Sequence, residues 1–594
     1  MATVTLTING QRITALAGQT ILEAATAANI KIPTLCHHPA LKPIGACRVC
    51  LVEVKGQRTL QPACTFPVTD KLDVQTDSPK VVEARKFVLE LLFSERNHFC
   101  MYCEMSGDCE LQNLGYQYGL DHWMYPTYTK RFPVDATRDY FLMDHNRCVL
   151  CRRCMRACSD LVANHTLDMR QRGADSMISA DLNIPFGDSS CISCGTCLQV
   201  CPTGSLIDKR SAFMARDKDT LHVPSTCSQC SIGCGIDVVT RDGNLLRVQG
   251  GWDAPVTAGV VCKLGRFDPL YNTRTRVTSP MVREGAALHK VSWSAAVHEA
   301  ATRIRKAAPK KVGVLASTNA TNEALYLVSA LFHDALGTGA LGVLNEVTPR
   351  IAEKAQGALS DIVKSDCILV VGADPLKDQP VASFFIKRTV DKGARLIVVD
   401  AEDNGLVPFA HMHFAMAKIA KAIEIAARAD YPVVVYGARL TKNALEALKA
   451  LETKAAFVAV EPGVNTRAAR SYGLDNGFKP AGLEVLFILV GEQDWDGKDI
   501  LKKVGANTFL IVQASYASPL TERADVILPM AIWAERSGSL TTTDGRVQKA
   551  NKAIEPQGDA KSDWEILTLL AEKLDKKLGG SLEDLSARAA QRIQ

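Results

Sequence analysis

Apolar and polar residues alternate at the start of the chain. Val4, Leu6 and Ile8 stand against Thr3, Thr5 and Thr7, the period of a half-buried strand. Asn9-Gly10 reads as a type I′ hairpin turn, and Ile13 and Ala15 resume the alternation. Thr20-x-x-Glu23 is a capping box ahead of Ile21, Leu22, Ala25 and Ala28, which predicts a short helix. Ser78 as N-cap with Pro79 at the first helical position opens another. Its apolar face is predicted from Val81, Ala84, Val88, Leu91 and Leu92. Further on, residues 236–239 and 245–248 flank Asp242-Gly243-Asn244, a hairpin pattern.

From about residue 276 the texture changes. Short apolar runs recur at 312–316, 367–371, 396–399, 432–435, 485–490 and 509–512. Helical patterns lie between several of them, at 294–305, 322–335 and 442–451. Apolar strands alternating with helices predict an α/β architecture with largely parallel sheets.

A length of 594 residues implies several domains. Lys plus Arg is 69 against 64 for Asp plus Glu, too small a bias to argue for nucleic acid. The start has no basic and apolar leader pattern, and no run approaches the ~18 apolar residues of a membrane span. The expectation is a cytoplasmic protein with no direct membrane insertion.

The cysteines change the picture. There are 20, and all but Cys367 lie at or before Cys262. Such crowding in a cytosolic chain argues for metal ligation. They fall into sets: Cys36, Cys47, Cys50 and Cys64; Cys100, Cys103 and Cys109; Cys148, Cys151, Cys154 and Cys158; Cys191, Cys194, Cys197 and Cys201; Cys227, Cys230, Cys234 and Cys262. Zinc knuckles or disulfides are the alternative, but zinc sites use two separated pairs rather than four cysteines in eleven residues. Four thiolates on a loop after a sheet-and-helix unit suit a [2Fe–2S] cluster at Cys36–Cys64, where Gly45 would let the backbone close around it. The three-cysteine set leaves a cube one ligand short, and His98 is placed to complete it. His122 and His145 are weaker candidates, and His37 and His38 read as surface residues. Arg152, Arg153 and Arg156 surround the first four-cysteine run. They could raise its potential, dock an acidic partner or form a solvated helix face. Cys367 sits in an apolar run and reads as a buried structural thiol.

The two C-x2-C-x2-C-x3-C runs resemble a two-cluster bacterial ferredoxin. That implies one cube on Cys148, Cys151, Cys154 and Cys201 and a second on Cys191, Cys194, Cys197 and Cys158, since the fourth cysteine of each run ligates the other cluster. The gap between Cys36 and Cys47 and the Cys109-Glu-Leu-Gln run resemble the large iron–sulfur subunit of respiratory complex I. His98, two residues before Cys100, and the two intact runs resemble more closely the iron–sulfur subunits of soluble NAD-linked hydrogenases and formate dehydrogenases. The set Cys227, Cys230, Cys234 and Cys262 resembles the N-terminal cluster segment of molybdopterin oxidoreductases. Lys263, whose counterpart there bridges cluster and pterin, comes one position early. Trp293, the stretch from Val370 to Pro375, Ala524–Pro529 and the stretch from Glu535 to Val547 are similar to that family's central motifs. Active members carry a cysteine or selenocysteine, or occasionally another ligand, after the Gly-Thr run. Here Gly337-Thr338-Gly339 leads to Leu344–Pro349 without a cysteine, and the chain stops soon after Gly545-Arg546.

The resemblances imply a multidomain α+β and α/β chain. Its domains are a β-grasp [2Fe–2S] ferredoxin over 1–78, a His/Cys3 [4Fe–4S] domain over 79–140 and a 2[4Fe–4S] ferredoxin over 141–212. A small [4Fe–4S] domain over 219–275 and a degenerate molybdopterin-oxidoreductase-like α/β domain over 276–594 complete it. One [2Fe–2S] and four [4Fe–4S] clusters are expected, with no molybdopterin and no catalytic residue. The expected function is electron relay from a flavin- and NAD(H)-binding iron–sulfur subunit, beside a small [2Fe–2S] subunit. Electrons would pass through the His/Cys3 and paired clusters to a hydrogenase, a formate dehydrogenase or ferredoxin. No G-x-G-x-x-G follows a strand and opens a helix, so no dinucleotide fingerprint is present. The alternatives are a catalytic molybdenum or tungsten formate dehydrogenase, a subunit of a complex I-type quinone reductase, an iron-only hydrogenase, and clusters that merely staple small domains.

Overall fold

A computed structural model describes residues 2–593 apart from 127–129, 346, 352–354, 476 and 506. The chain forms two compact units, residues 1–220 and 221–594.

In the first unit the strands Thr3–Ile8 and Gln11–Leu16 pair antiparallel, joined by Asn9 and Gly10 in the left-handed conformation of a type I′ turn. Asp73–Gln75 adds in parallel to Thr3–Ile8, and Leu51–Val54 and Gln61–Pro62 extend the sheet beyond it. The helix Ile21–Ala27 starts on the capping box: the Glu23 amide donates to Thr20 Oγ1 at 3.2 Å and the Thr20 amide to Glu23 Oε2 at 2.7 Å. It buries Ile21, Leu22, Ala24 and Ala25 in a core with Leu6, Ile8, Val52 and Val74. The segment 134–208 carries the strands Val134–Asp135, Phe141–Asp144 and Leu206–Asp208, all antiparallel. The hairpin Leu167–Arg170 with Met177–Ala180 and two short helices, Arg153–Arg156 and Thr196–Val200, complete it.

The helix Pro79–Glu95 begins where expected but turns a different face inward. Val81, Arg85, Leu89 and Phe93 are buried, whereas Leu91 is 41% exposed. Arg85 explains the rotation. Its guanidinium donates to the carbonyls of Val49 at 3.1 Å and Leu51 at 2.7 Å, to the Tyr118 hydroxyl at 2.9 Å and to Asp77 at 3.0 Å. Buried carbonyls need donors, and a reading by hydrophobicity alone puts an arginine outside. Ser78 occupies the N-cap position with Pro79 after it, but its hydroxyl donates to Glu53 at 2.7 Å instead of bonding a first-turn amide.

In the second unit Leu221–Thr226, Gly235–Arg241 and Asn244–Gly250 form an antiparallel sheet. Met412–Phe414, Arg395–Val399, Cys367–Val371, Pro432–Tyr436 and Ala456–Ala459 form a fully parallel one. A seven-stranded sheet holds Val312–Ala316, Ala340–Val343, Val485–Gly491, Phe509–Ala514 and Val526–Pro529 in parallel, with the hairpin Met281–Glu284 and Ala287–Lys290 at one edge. Every residue of Cys367–Val371 is buried, as a strand covered on both faces requires; Cys367 is a core side chain there. Of the stretch Leu344–Pro349, Glu346 lies outside the described residues. Among the described residues no helix is long and apolar enough to cross a membrane.

Candidate iron–sulfur sites

The two long cysteine runs fold alike. Leu150 and Arg152 in the first, and Ser193 and Gly195 in the second, all take positive φ, from 50° to 71°. Three of the four are not glycine, so each costs of order 1 kcal/mol or more. The bend aims amides at sulfur. Leu150 N lies 3.4 Å from Cys148 Sγ, and Ser193 N 3.4 Å from Cys191 Sγ. The amide two residues on also donates to sulfur at Cys103, Cys109, Cys151, Cys227 and Cys230. Such donors stabilise thiolates and raise the potential of a cluster they hold.

Cys148, Cys151 and Cys154 line one cavity together with Cys201 from the second run. Cys158 of the first run sits instead within electrostatic reach of Cys191, Cys194 and Cys197. In the N-terminal sheet domain the Cys47 and Cys64 thiols donate to Cys36 and Cys64 also to Cys50, which lowers Cys36 and Cys50 and raises the two donors. Cys227, Cys230, Cys234 and Cys262 interact mutually in the second unit.

His98 shares a cavity with Cys100, Cys103 and Cys109. Its Nε2 is buried without a hydrogen-bond partner, and burial lowers the ring to about 4, so it is neutral at physiological pH and able to ligate. His122 is exposed beside Asp121 at 2.6 Å. His145 is buried but does not line that cavity. His37 and His38 are half-buried rather than on the surface, and burial pushes both imidazoles down.

The chemistry of the donors fits iron–sulfur clusters. Burial pushes Cys148 and Cys191 up to about 11 and Cys109 and Cys227 up to about 12. Cys154, Cys197, Cys230 and Cys234 are raised further by the same cause. Only a metal charge ionises thiols so placed. Two glycines cradle sulfurs that a larger residue would displace: a Cβ on Gly204 would stand 2.6 Å from Cys103 Sγ, and one on Gly265 2.8 Å from Cys227 Sγ. Among the described residues no three His, Cys, Asp or Glu groups converge on a single ion; thiolates on a cube stand apart, one at each iron.

Arg153 and Arg156 do not form a solvated face. Arg153 is buried and donates twice to Glu110, beside Cys109, at 2.6 and 2.8 Å. Arg156 donates to the carbonyls of Lys42 at 2.6 Å and of Cys36. Thr203 lines both the His98 cavity and the Cys148–Cys201 cavity, and Cys36 and Cys151 share one apolar core. The same core also packs against Cys100 and Cys109, so the Cys36–Cys64, His98 and Cys148–Cys201 sites adjoin one another. Neither the arginine clamps nor Thr203 shows in hydrophobic periodicity; the sequence signal was their adjacency to ligand cysteines.

In the second unit Gly372, at the end of Cys367–Val371, is left-handed, and a Cβ there would stand 2.9 Å from the Arg439 backbone. The late motif is an ion-pair network: Glu535 receives Arg276 at 2.9 and 2.7 Å, and Arg536 lies 3.4 Å from Glu492. Lys263 Nζ lies 3.7 Å from Asp268. One cavity of about 240 Å³ is lined by residues including Gln229, Asn319, Glu492 and Arg536, another of about 270 Å³ by residues including Glu461, Arg467, Arg470 and Tyr436. Among the described residues neither lining includes cysteine or histidine.

Residues 276–573 match the molybdopterin oxidoreductase family and 221–269 its Fe4S4 domain. Residues 1–79 match a 2Fe-2S iron-sulfur cluster binding domain, 85–123 the NADH-ubiquinone oxidoreductase-G iron-sulfur binding region, and 147–205 a 4Fe-4S dicluster domain. The chain is 27% identical to an NADH-quinone oxidoreductase subunit of Rhizobium meliloti, over 97% of this chain and 80% of that one. It is 28% identical to NADPH-Fe(3+) oxidoreductase subunit alpha of Geobacter sulfurreducens, over 96% and 81%. It is also 28% identical to NADH-quinone oxidoreductase subunit 3 of Thermus thermophilus, over 96% and 82%.

Proposed function

The chain belongs to the molybdopterin oxidoreductase family and is related to the large iron–sulfur subunit of NADH-quinone oxidoreductases, and from that premise we propose that it is a non-catalytic electron-relay subunit of a cytoplasmic NAD(P)-linked oxidoreductase. Its partners are a flavin- and NAD(H)-binding iron–sulfur subunit and a small [2Fe–2S] subunit on one side. On the other stands a hydrogenase or formate dehydrogenase, with ferredoxin as a further redox partner. The domain limits are those set out from the sequence, with a β-grasp fold for 1–78.

Cys36, Cys47, Cys50 and Cys64 would hold a [2Fe–2S] cluster. Four [4Fe–4S] clusters would be held by His98 with Cys100, Cys103 and Cys109; by Cys148, Cys151, Cys154 and Cys201; by Cys191, Cys194, Cys197 and Cys158; and by Cys227, Cys230, Cys234 and Cys262. Bound clusters supply one-electron carriers. The polypeptide keeps them dry, spaces them and directs amides to their sulfurs. The observation that carries the reading is the crossed grouping, in which Cys201 joins Cys148, Cys151 and Cys154 around one cavity.

The second unit is read as a scaffold on the absence of a cysteine ligand after Gly337-Thr338-Gly339 in the sequence, and no molybdopterin is expected in it. The names of the relatives favour a second reading in which the terminal acceptor is a quinone. Anaerobically prepared protein is expected to hold about 18 irons per chain, from one two-iron and four four-iron centres, and no stoichiometric molybdenum or tungsten. NADH alone should leave it oxidised until a flavoprotein is added; rapid reduction without one refutes the relay. Copurification of the native complex separates hydrogenase, formate dehydrogenase and quinone reductase partners.

A further inference from the structure

We infer that Arg156 is a positioning residue that joins the Cys36–Cys64 site to the Cys148–Cys201 site and raises the reduction potential of the clusters in both. The inference deepens the relay reading and rests on those two sites holding clusters.

Arg156 ends the short helix Arg153–Arg156, two residues before Cys158. Its guanidinium reaches 120 residues back to the Cys36 carbonyl. The same Nη2 lies 3.5 Å from the Cys151 carbonyl, and Nη1 donates to the Lys42 carbonyl at 2.6 Å. One planar group thus touches the backbone of a ligand from each site and the loop between Cys36 and Cys47. Leu35, Cys36, Val149 and Cys151 pack in one core beneath it. A fork of fixed geometry suits such a three-way bridge better than a flexible ammonium.

The charge matters as much as the reach. All four acceptors around Arg156 are carbonyls, the last being that of Arg152 at 3.3 Å. Among the described residues no carboxylate bonds to it; exposed Asp160 acts only through space. The neighbouring Arg153 is the contrast, since Glu110 cancels its charge through two short bonds. Reduction adds negative charge to a cluster, so an uncancelled, half-buried cation beside two cluster loops favours the reduced state of both. A cancelled one does so much less.

The test is redox-titrated EPR on the full-length, anaerobically prepared chain, wild type against Arg156→Gln and Arg156→Lys, with the neutral pair Arg153→Gln/Glu110→Gln as control. In Arg156→Gln the oxidised-to-reduced ratio at fixed potential should rise about tenfold at both sites, about 59 mV for a one-electron couple. The His98 site should stay within about twofold. Arg156→Lys keeps the charge and should stay within about threefold, and the neutral pair should do the same. The inference is overturned if Arg156→Gln leaves both potentials in place, if it moves the His98 site equally, or if Arg156→Lys shifts as far as Gln. Should the Gln variant fail to assemble clusters, the Lys variant decides: wild-type potentials sustain the role of charge, displaced ones end it. A wild-type chain without iron at these sites instead sinks the relay reading itself.

Discussion

Gly204→Ala isolates the steric fit of one cluster site. Gly204 belongs to the run that follows Cys201, yet it lines the cavity of His98, Cys100, Cys103 and Cys109. Its φ is not positive, so alanine meets no backbone penalty and the effect is steric alone. The added Cβ would stand 2.6 Å from Cys103 Sγ and 3.4 Å from Met105 Cβ. Non-bonded contacts of this kind settle at about 3.5–4.0 Å, so the sulfur must retreat by about 1 Å. Metal–ligand distances tolerate only about 0.2 Å, so Cys103 would leave its iron. Overpacking of this size costs about 1–3 kcal/mol, a cost the loop relieves by giving up the cluster. Iron and acid-labile sulfide counted per chain should fall by about four each, with one [4Fe–4S] EPR signal lost and the rest intact. A variant with full iron and an unchanged spectrum would show that Gly204 does not pack against a ligand, and the cavity assignment would fail.

Three further outcomes are expected. His98→Cys should keep its cluster but lower the potential, because a thiolate replaces a neutral imidazole; an unchanged EPR midpoint moves the ligand elsewhere, His122 first. Arg85→Met strips donors from the Val49 and Leu51 carbonyls and should cost about 2–4 kcal/mol in urea unfolding, the mostly exposed Asp77 adding little; a loss under about 0.5 kcal/mol contradicts the clamp. Glu492 is raised by burial from 4.5 to about 7. The folded state therefore holds that proton more tightly, and stability falls as pH rises through this window and stays reduced above it. Glu492→Gln should gain on wild type more at pH 8 than at pH 5, and an equal difference at both pH values in chemical denaturation would disprove the burial effect.

Much of the architecture was legible in residue order. The hairpin at Asn9-Gly10 and the capping box at Thr20 appear where expected because each depends on contacts a few residues apart, and the six apolar runs of the second half do so because strands covered on both faces are continuously apolar. Helix Pro79–Glu95 shows where such reading stops: its start follows from Ser78-Pro79, but its inward face follows from Arg85, whose partners Val49, Leu51 and Tyr118 lie more than 30 residues away. Polar burial of that kind is set by which carbonyls arrive opposite, and no periodicity records it.

The cysteine spacing by itself determined that the first half binds metal and which thiols form local sets, since a tight run of thiols leaves few other uses. Tertiary structure alone decided what lies between the sets. It put Thr203 against two cavities, Gly204 under Cys103, and Arg153 and Arg156 across to Glu110 and Cys36. The reason is physical: ligation is local along the chain, whereas the desolvation of a thiol, the reach of a guanidinium and the spacing between two sites arise only when segments remote in sequence pack together.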